Sequence, residues 1–340
     1  MWHNSFGSKF KISIWGASHT PEVGVCIGGV PAGIALSEAD FEADLSRRRA
    51  SAKGTTARHE ADVPTIRSGV IKGKTTGEMI EIVFRNGDVR SADYSQFETH
   101  PRPSHVDFVA RAKYGEEVDL RGSGQFSGRM TVLLVAAGVV AKKVVEGVQY
   151  ATSIVEIGGS RNEAEFSDII TAAMADGDSV GGIVECVAKG LKVGLGEPFF
   201  DSAESIIAHL LFSVPAVKGV EFGSGFEGIR LRGSERNDRL VNSDGHTATN
   251  NEGGINGGIT NGNDLIVRVA IKPTPSISCE QMTYNRELDK VAPLRIKGRH
   301  DACIALRAAV VVESAVAIAL AELALTAHAS SLTSRLSSFV

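Results

Sequence analysis

Two histidines and one aspartate are the residues of this sequence whose types and surroundings best suit proton transfer. They stand in three short motifs, Gly16-Ala17-Ser18-His19-Thr20, Arg102-Pro103-Ser104-His105 and Gly298-Arg299-His300-Asp301. These motifs are rich in Gly, Pro and Arg and predict loops, which display chemistry on a rigid scaffold. Histidine titrates near neutral pH, and a neighbouring arginine can bind a phosphate or carboxylate through two hydrogen bonds. The combination predicts proton transfer on an anionic substrate.

Glycine-rich segments predict where the backbone approaches a ligand. Residues 121–129 read RGSGQFSGR and lead into an apolar segment. The N–H groups at such a helix start, with Ser127 and Arg129, favour an anion, and a glycine-rich capping loop is the alternative. Residues 250–259 suit close approach to a flat ligand. Residues 272–276, KPTPS, add a cation and hydroxyl groups at a strand end, so the two segments together predict a phosphate or isoalloxazine cradle.

The composition excludes several classes of protein. The chain has 340 residues, of which 43% are hydrophobic and 22% charged, as in folded globular proteins. A net charge of −4 gives no general attraction to nucleic acid or membranes, so an anion site must be a local cluster of cations. The four cysteines are far apart, which predicts free thiols in a reducing, cytoplasmic setting.

The ends of the chain predict neither a signal peptide nor a membrane span. The first residues contain no apolar core after a basic start. The most apolar tract, residues 305–327, includes Arg307, Glu313 and Glu322, which are costly inside a bilayer, so it predicts a core helix. The other histidines show no metal-ligand spacing, and we predict no metal site.

Periodicity predicts the elements that must position these loops. Residues 37–40 resemble a capping box for a helix that runs into Arg47-Arg48-Arg49. Three consecutive arginines turn at least one inward, so a ligand role and a solvated helix end both stay open. Residues 79–84 and 265–271 alternate like strands, and residues 131–145 are apolar nearly all round, like a buried helix. Small residues in this helix, Ala136, Ala137 and Gly138, permit close approach of a neighbour. A helix over 201–212 is expected to be capped by Asp201.

Two further segments bear on function and organisation. Residues 86–128 predict a long irregular connection with at most one helix, around 106–113, and such connections are usually functional. Residues 223–228 match the dinucleotide pattern G-x-G-x-x-G. Residues 229–232 then alternate like a strand, so we interpret the glycines as a turn between strands.

A weak internal repeat is visible. Residues 24–34 precede the helix at 37, and residues 183–195, with two glycines in register, precede the helix at 201. We interpret this as two strand-turn-helix units within a single domain, 1–340, with halves near 1–145 and 181–325. Chance similarity is the alternative.

Taken in order, these motifs resemble the chorismate synthase family from Asn4 to about Glu322. They include the three already quoted, the arginine triplet and KPTPS. Further matches are Asn4-Ser5-Phe6-Gly7, Gly29-Val30-Pro31-Ala32-Gly33-Ile34, Val135-Ala136-Ala137-Gly138, Gly194-Leu195-Gly196-Glu197-Pro198, Ala216-Val217-Lys218-Gly219-Val220-Glu221 and Gly253-Gly254-Ile255-Asn256-Gly257-Gly258-Ile259.

The resemblance implies an α+β fold, a β-α-β sandwich of antiparallel sheets around a helical layer with internal pseudo-duplication. It implies a homotetramer that eliminates phosphate from 5-enolpyruvylshikimate 3-phosphate in a 1,4-anti reaction to give chorismate. The implied cofactor is reduced FMN, which is not consumed and is supplied by an external flavin reductant drawing on NADPH. No nucleic-acid or membrane partner is implied.

The resemblance also implies residue roles. His19 protonates the departing phosphate, His105 sets the protonation state of reduced flavin, and Asp301 assists proton removal through the flavin N5. The implied substrate-binding residues are Ser18, Arg48, Arg102, Ser127, Arg129 and Arg299. The implied FMN-binding residues are Gln125, Phe126, Ser127, Pro215, Ala216, Asn251, Gly257, Lys272, Pro273, Thr274, Pro275, Ser276 and Arg299.

The chain departs from the family pattern at Ala17, Thr20, Ala50, Gln125 and Phe126. The resemblance implies an arginine at the position of Gln125. Since every residue with an implied proton-transfer role is present, we expect an active enzyme. The alternative is a degenerate homologue that binds flavin or substrate without turnover. An RNA-binding module based on the arginine triplet would need aromatic stacking residues and overall basicity, which this sequence lacks.

Overall fold

Two antiparallel sheets enclose a layer of helices. The computed structural model describes residues 4–49, 53–55, 60–87, 91–297 and 300–336. The α+β class and the antiparallel sheets predicted above are confirmed.

The strands occupy both halves of the chain and are numbered in chain order. They are β1 (Ser5–Phe6), β2 (Lys11–Gly16), β3 (Glu22–Gly28), β4 (Thr65–Ser68), β5 (Val70–Ile71), β6 (Lys74–Thr75), β7 (Ile80–Arg85), β8 (Gln149–Ile157), β9 (Gly182–Lys189), β10 (Val217–Phe222), β11 (Ile255–Asn256), β12 (Ile259–Thr260), β13 (Leu265–Ile271), β14 (Gln281–Asn285) and β15 (Lys290–Leu294).

The α-helices connect or cover these strands. They are α1 (Glu42–Arg48), α2 (Asp107–Tyr114), α3 (Thr131–Val144), α4 (Glu163–Ala175), α5 (Ala203–Ser213), α6 (Gly225–Gly228), α7 (Gly233–Arg236) and α8 (Ala305–Leu336). Shorter 3₁₀ segments span Glu38–Phe41, Ser91–Glu98, Arg121–Phe126, Gly128–Met130 and Phe199–Asp201.

The two large sheets share one strand order. The first runs β1-β2-β3-β7-β4, and the second runs β8-β9-β13-β10. In both, the central hairpin strand (β3 or β9) is followed by a helix (α1 or α5), then by an edge strand, then by a strand that returns between them. The strand that corresponds to β2 is therefore β8, which begins at Gln149, ahead of residue 181 where the sequence placed the second half.

The core lies between the sheets and is built around α3 and α8. Helix α3 is buried on all sides because it packs against β3 and against α8, which itself covers β8 and β9. At the crossing of the two helices, a Cβ on Gly138 would lie 2.4 Å from the Cβ of Ser314. Only glycine therefore allows this approach, and the close contact expected around Gly138 is confirmed.

Two charged residues of the apolar tract, Glu313 and Glu322, form hydrogen bonds with specific partners. Glu313 accepts hydrogen bonds from both terminal nitrogens of Arg47 and from Lys142. Glu322 accepts backbone N–H groups of Ser8 and Phe10. Two helical stretches, Arg121–Val144, which ends with α3, and Ala305–His328, which lies within α8, have the length and composition of membrane spans. In their most apolar 18-residue segments, however, 78% and 83% of the residues are buried inside the protein, as in core helices.

Local predictions are confirmed at several elements. β13 has the predicted bounds and alternates buried and half-buried residues, and α3 ends one residue before the predicted end. Ser37 and Asp40 form the predicted capping box. The long connection after β7 contains one α-helix, α2.

Two local predictions are wrong. Helix α5 is capped by Ser202, whose hydroxyl accepts the N–H of Ser205, because Asp201 belongs to the preceding 3₁₀ turn. Residues 229–232 form no strand, since the chain turns there between α6 and α7. The glycine motif does follow a strand, β10, but it opens a helix of only four residues, too short for a dinucleotide loop.

Candidate active site

A cavity of about 740 Å³ opens beside the first turns of α8. Its walls come from the loops before α2 and α3, from the turns before β10 and after β13, and from the segment leading into α8. The predicted site residues that line it are His105, Asp301, Arg48, Arg102, Ser127, Arg129, Gln125, Phe126, Pro215, Ala216, Lys272, Thr274, Pro275 and Ser276. The fold thus gathers most of the predicted site from segments as far apart in the chain as Arg48 and Asp301.

His19 and Ser18 lie directly behind one wall of this cavity. A Cβ on Gly122 would stand 2.6 Å from Ser18 Oγ and 2.8 Å from His19 Nε2. Gly122, which lines the cavity, has φ +56° and is the residue that allows this packing. The His19 ring also meets Tyr94 edge-on, with 5.4 Å between ring centroids. Tyr94 lines the cavity as well, so His19 adjoins two residues of the cavity wall, Gly122 and Tyr94.

Three predicted FMN-binding residues are not brought to the cavity of their own chain. Asn251 donates its side-chain N–H to Arg236 O and lies in the loop before β11. Gly257 sits at the exposed tip of the β11–β12 hairpin. Pro273 packs near Gly181 rather than lining the wall. A fourth predicted residue, Arg299, lies outside the described residues, as does the departure at Ala50.

His105 belongs to a buried chain of hydrogen bonds. Its Nδ1 lies 2.8 Å from Asp107 Oδ1, and its Nε2 lies 3.2 Å from the hydroxyl of Ser123. Asp107 also accepts Nε–H and Nη2–H of Arg102, at 2.8 and 2.7 Å. Arg102 in turn donates to Ser276 Oγ at 3.1 Å. Asp107 therefore fixes the ring of His105 and ties it to the turn after β13.

The electrostatics of this group favour a neutral imidazole and an ionised carboxylate. Burial lowers the pKa of His105 below its ordinary value, and the nearby Arg102 charge acts in the same direction against the hydrogen bond to Asp107. Burial would raise the pKa of Asp107, but the hydrogen bonds from Arg102 and His105 hold it well below its usual range. A proton on Nδ1 would point at the carboxylate, which leaves Nε2 as an acceptor that the Ser123 hydroxyl faces in this structure.

The loop that carries His105 is fastened across the cavity. Ser104 has φ +55°, an uncommon value for a residue with a side chain. Its carbonyl accepts a hydrogen bond from Lys272 Nζ at 2.9 Å. Lys218 and Lys272 both line this part of the cavity. Burial and the charge of Lys218 lower the pKa of Lys272.

Arg48 and Arg129 share one buried counter-ion, Asp62. Arg48 Nη1 donates to Asp62 Oδ2 at 2.8 Å, and Arg129 Nη1 donates to Asp62 Oδ1. Asp62 has φ +49°, so the backbone adopts a costly conformation where the carboxylate enters between the two guanidinium groups. Arg129 also donates Nε–H to Asn86. These arginines are therefore fixed before any ligand arrives.

The arginine triplet divides its roles. Arg48 turns inward and is 2% exposed, and burial lowers its pKa to about 10 against the opposing charge of Asp62. Arg47 pairs with Glu313, and Arg49 pairs with Glu42. The inward arginine expected from the sequence is thus Arg48. Its donors go to Asp62, to Thr131 Oγ1 and to backbone carbonyls, so it shapes the wall.

Asp301 stands at the start of α8, where its carboxylate lies 3.4 Å from Arg307 Nη1. Arg307 is held by a second hydrogen bond, from Nε to Arg48 O at 3.0 Å. This arrangement connects the carboxylate to the two-arginine cluster. The Asp301 carboxylate therefore lies at the cavity surface beside a guanidinium group that is itself held in place.

The departures from the family pattern have local partners. Thr20 Oγ1 accepts the N–H of Ala17 at 2.9 Å and stabilises the His19 turn. Gln125 Oε1 accepts a hydrogen bond from Asn4 at 3.0 Å. Phe126 lies 6.4 Å from Tyr114 between ring centroids. The walls are therefore complete at these positions.

Sequence reasoning missed Asp62, Asp107 and His300 as parts of the site. Asp107 could have been found, because a carboxylate two residues after a histidine in a turn is within reach of its ring. Nothing in the pattern around Asp62 sets it apart, since its role appears only when Arg48 and Arg129 meet. His300 stood in a quoted motif but received no role.

Comparison with known proteins identifies the same family over nearly the whole chain. The family model for chorismate synthase matches residues 10–325. Chorismate synthase of Chitinophaga pinensis is 53% identical over 320 residues, covering 94% of this chain and 96% of the relative. Chorismate synthase of Korarchaeum cryptofilum is 43% identical over 93% of this chain and 96% of the relative. A crystal structure of chorismate synthase superposes with a TM-score of 0.72 at 27% identity, covering 94% of this chain and 92% of the other.

Proposed function

This chain belongs to the chorismate synthase family and is a lyase, and on that premise we propose that its cavity is where phosphate is eliminated from 5-enolpyruvylshikimate 3-phosphate with reduced FMN bound alongside. The observation that carries the proposal is the cavity itself. It places a neutral imidazole, a carboxylate and a cluster of fixed guanidinium groups around one space of about 740 Å³.

The substrate carries a phosphate and two carboxylates, which require cations that do not move on binding. The Asp62 carboxylate fixes Arg48 and Arg129, and Arg307 is fixed by Arg48 O and Asp301. Each guanidinium has five N–H donors, and the hydrogen bonds to described residues engage three of those of Arg129 and two of those of Arg307. Preorganised donors of this kind stabilise charge that develops on a departing phosphate.

We assign the proton transfers to three side chains of this protein. His19 donates a proton to the departing phosphate, His105 exchanges a proton at Nε2, and Asp301 receives the proton that leaves the substrate. The supporting geometry is the Asp107 hydrogen bond at Nδ1 of His105 and the ion pair that holds the Asp301 carboxylate beside Arg307.

The residues present fit a flavin. Thr274 Oγ1, in the turn after β13, is buried and has no hydrogen-bond partner among the described residues, as expected where a ligand supplies one. Lys218 and Lys272 offer charge for a phosphate group, and Pro215, Ala216 and Phe126 offer apolar surface for a ring system. When bound, reduced FMN supplies the electron density that eases loss of phosphate from a carbon skeleton without an acidic hydrogen.

An anaerobic assay tests this proposal. Purified protein is mixed with dithionite-reduced FMN and 5-enolpyruvylshikimate 3-phosphate, and chorismate is followed by absorbance. We expect turnover without net oxidation of the flavin. Chorismate formation with oxidised FMN alone, in strict absence of a reductant, would refute the need for the reduced cofactor.

The same assay separates an active enzyme from a degenerate homologue. A protein that binds flavin and substrate without forming chorismate would be the degenerate form. We favour the active form because His105 and Asp301 line one cavity and because the changed positions Gln125 and Thr20 keep hydrogen-bond partners.

We also propose a cytoplasmic homotetramer served by an external flavin reductant that uses NADPH. Phe199 and Phe200 support self-association, since they are 86% and 90% exposed and lie in a loop that packs against the Gly257 hairpin. Light scattering of the wild type and of a Phe199→Ser/Phe200→Ser double variant tests it. We expect the wild type to contain four chains per particle and the double variant to contain fewer. A monomeric wild type would contradict the proposal.

A further inference from the structure

His300 is a histidine of the cavity wall to which the roles above assign nothing. It precedes Asp301 and lines the cavity. Its Nε2 is buried and has no hydrogen-bond partner among the residues that the structure describes. Buried polar atoms of this kind are rare and call for an explanation, of which a ligand is one.

A second unsatisfied atom lies in the same cavity. Thr274 Oγ1 is also buried and without a partner in the described part of the chain, and Thr274 lines the wall as well. The two atoms come from different segments, one before α8 and one after β13. Two independent unpaired groups in residues that line one cavity indicate a polar ligand rather than a local packing fault.

We propose that Nε2 of His300 forms a hydrogen bond with the uncharged part of FMN, its isoalloxazine ring or ribityl chain. This inference rests on the proposed function, because it takes FMN to be the cofactor. It adds a binding residue that neither the sequence motifs nor the comparisons single out.

The charge of His300 decides which part of FMN it suits. Burial lowers its pKa to about 4, the charges of Arg102 and His105 act in the same direction, and only Asp301 opposes them. The imidazole is therefore neutral at pH 7 and cannot balance a phosphate. A neutral imidazole can accept or donate one hydrogen bond, which matches a ring carbonyl, a ring nitrogen or a hydroxyl.

Flavin affinity and thermal stability of the ligand-free protein test the proposal together. Oxidised FMN and riboflavin, which lacks the phosphate, are titrated by fluorescence into wild type, His300→Phe and His300→Gln. The matched control is His100→Phe, since His100 is a buried histidine outside the cavity whose Nε2 is 3.3 Å from Thr283 O. The melting temperature of each protein is measured without flavin.

We expect His300→Phe to bind both flavins about tenfold more weakly, the effect of one lost hydrogen bond. His300→Gln should lose less, because its amide reaches the position of Nε2. The melting temperature of ligand-free His300→Phe should equal or exceed that of wild type, since an unpaired polar atom has been removed. His100→Phe should keep wild-type flavin affinity.

Four results would overturn the inference. Unchanged flavin affinity in His300→Phe would remove the contact while leaving the proposed function intact. A loss for FMN but not for riboflavin would assign the contact to the phosphate. A lower melting temperature in ligand-free His300→Phe would make the residue structural. If wild type itself binds no flavin, both the inference and the proposed cofactor are wrong.

Discussion

Replacing Asp107 by asparagine is expected to disable His105 while keeping the volume of the side chain. The carboxylate accepts four hydrogen bonds in the folded protein, from the backbone N, Nε and Nη2 of Arg102 and from Nδ1 of His105. An amide offers one acceptor oxygen, and its NH₂ group would face donors. The variant therefore loses both the counter-charge of Arg102 and the group that fixes the His105 tautomer.

The size of the effect follows from the burial of the pair. The side chains of Arg102 and Asp107 are 3% and 2% exposed, so solvent cannot replace the lost partner. Removing one member of a buried pair costs roughly 3–5 kcal/mol. We expect the free energy of unfolding to fall by about 3 kcal/mol. The loss should lie at the lower end of the range because Arg102 keeps its hydrogen bond to Ser276 Oγ and its contact with Phe97, whose ring centroid is 4.3 Å from Arg102 Cζ. Loss of the tautomer should lower kcat by about 10²–10⁴-fold.

The pH dependence of kcat separates a positioning role from a structural one. The hydrogen bond to Asp107 opposes the lowering of the His105 pKa by burial, so removing it should lower that pKa further and move the acid limb to lower pH. The control is Asp44→Asn, in which a carboxylate 2.6 Å from Lys142 is lost outside the cavity. A destabilised Asp107→Asn with wild-type kcat and acid limb would refute the reasoning.

Four further changes test neighbouring parts of the site. Asp301→Asn should keep flavin and substrate affinity within a few-fold but slow single-turnover elimination by at least ~10², and a lower melting temperature with an unchanged rate would contradict this. His19→Ala should lower kcat by roughly 10²–10⁴-fold with little change in thermal unfolding. Asp62→Asn removes the counter-ion that two buried guanidinium groups share and should lower the free energy of unfolding in urea by about 3–5 kcal/mol. Acidification from pH 6.5 towards 4 should lower the free energy of unfolding, because the unfolded chain then binds more protons at His300, whose folded pKa is about 4. The melting temperature of His300→Phe should therefore change less with pH over this range than that of wild type.

The sequence predicted elements whose periodicity is enforced by burial. β13 alternates because one of its faces covers α8, and α3 is apolar all round because it lies between a sheet and another helix. Gly138 was expected to allow close packing, and the crossing with Ser314 explains why. The loop with Arg102 and His105 was recognised as a candidate site from its residue types alone.

The parts that escaped prediction depend on long-range contacts. Asp62 is an ordinary acidic residue until the chain brings Arg48 and Arg129 to it. Ser202 rather than Asp201 caps α5, because a 3₁₀ turn ends at Asp201. Residue propensity cannot distinguish two neighbouring cap positions that differ by one residue. Asn251 was assigned by motif to the flavin, but the fold places it away from the cavity of its own chain.

The departures at Gln125 and Phe126 change the character of one wall without opening it. A glutamine in place of an arginine removes a charge from the loop before α3, and Asn4 holds the amide in place. The positive charge of the cavity does not depend on that position. Lys218 and Lys272 line it from the second half of the chain, and burial together with their mutual repulsion lowers the pKa of Lys272. A bound phosphate group would relieve that repulsion, so these two lysines carry the attraction for an anion in this part of the cavity, and Gln125→Arg should raise FMN affinity by no more than a few-fold.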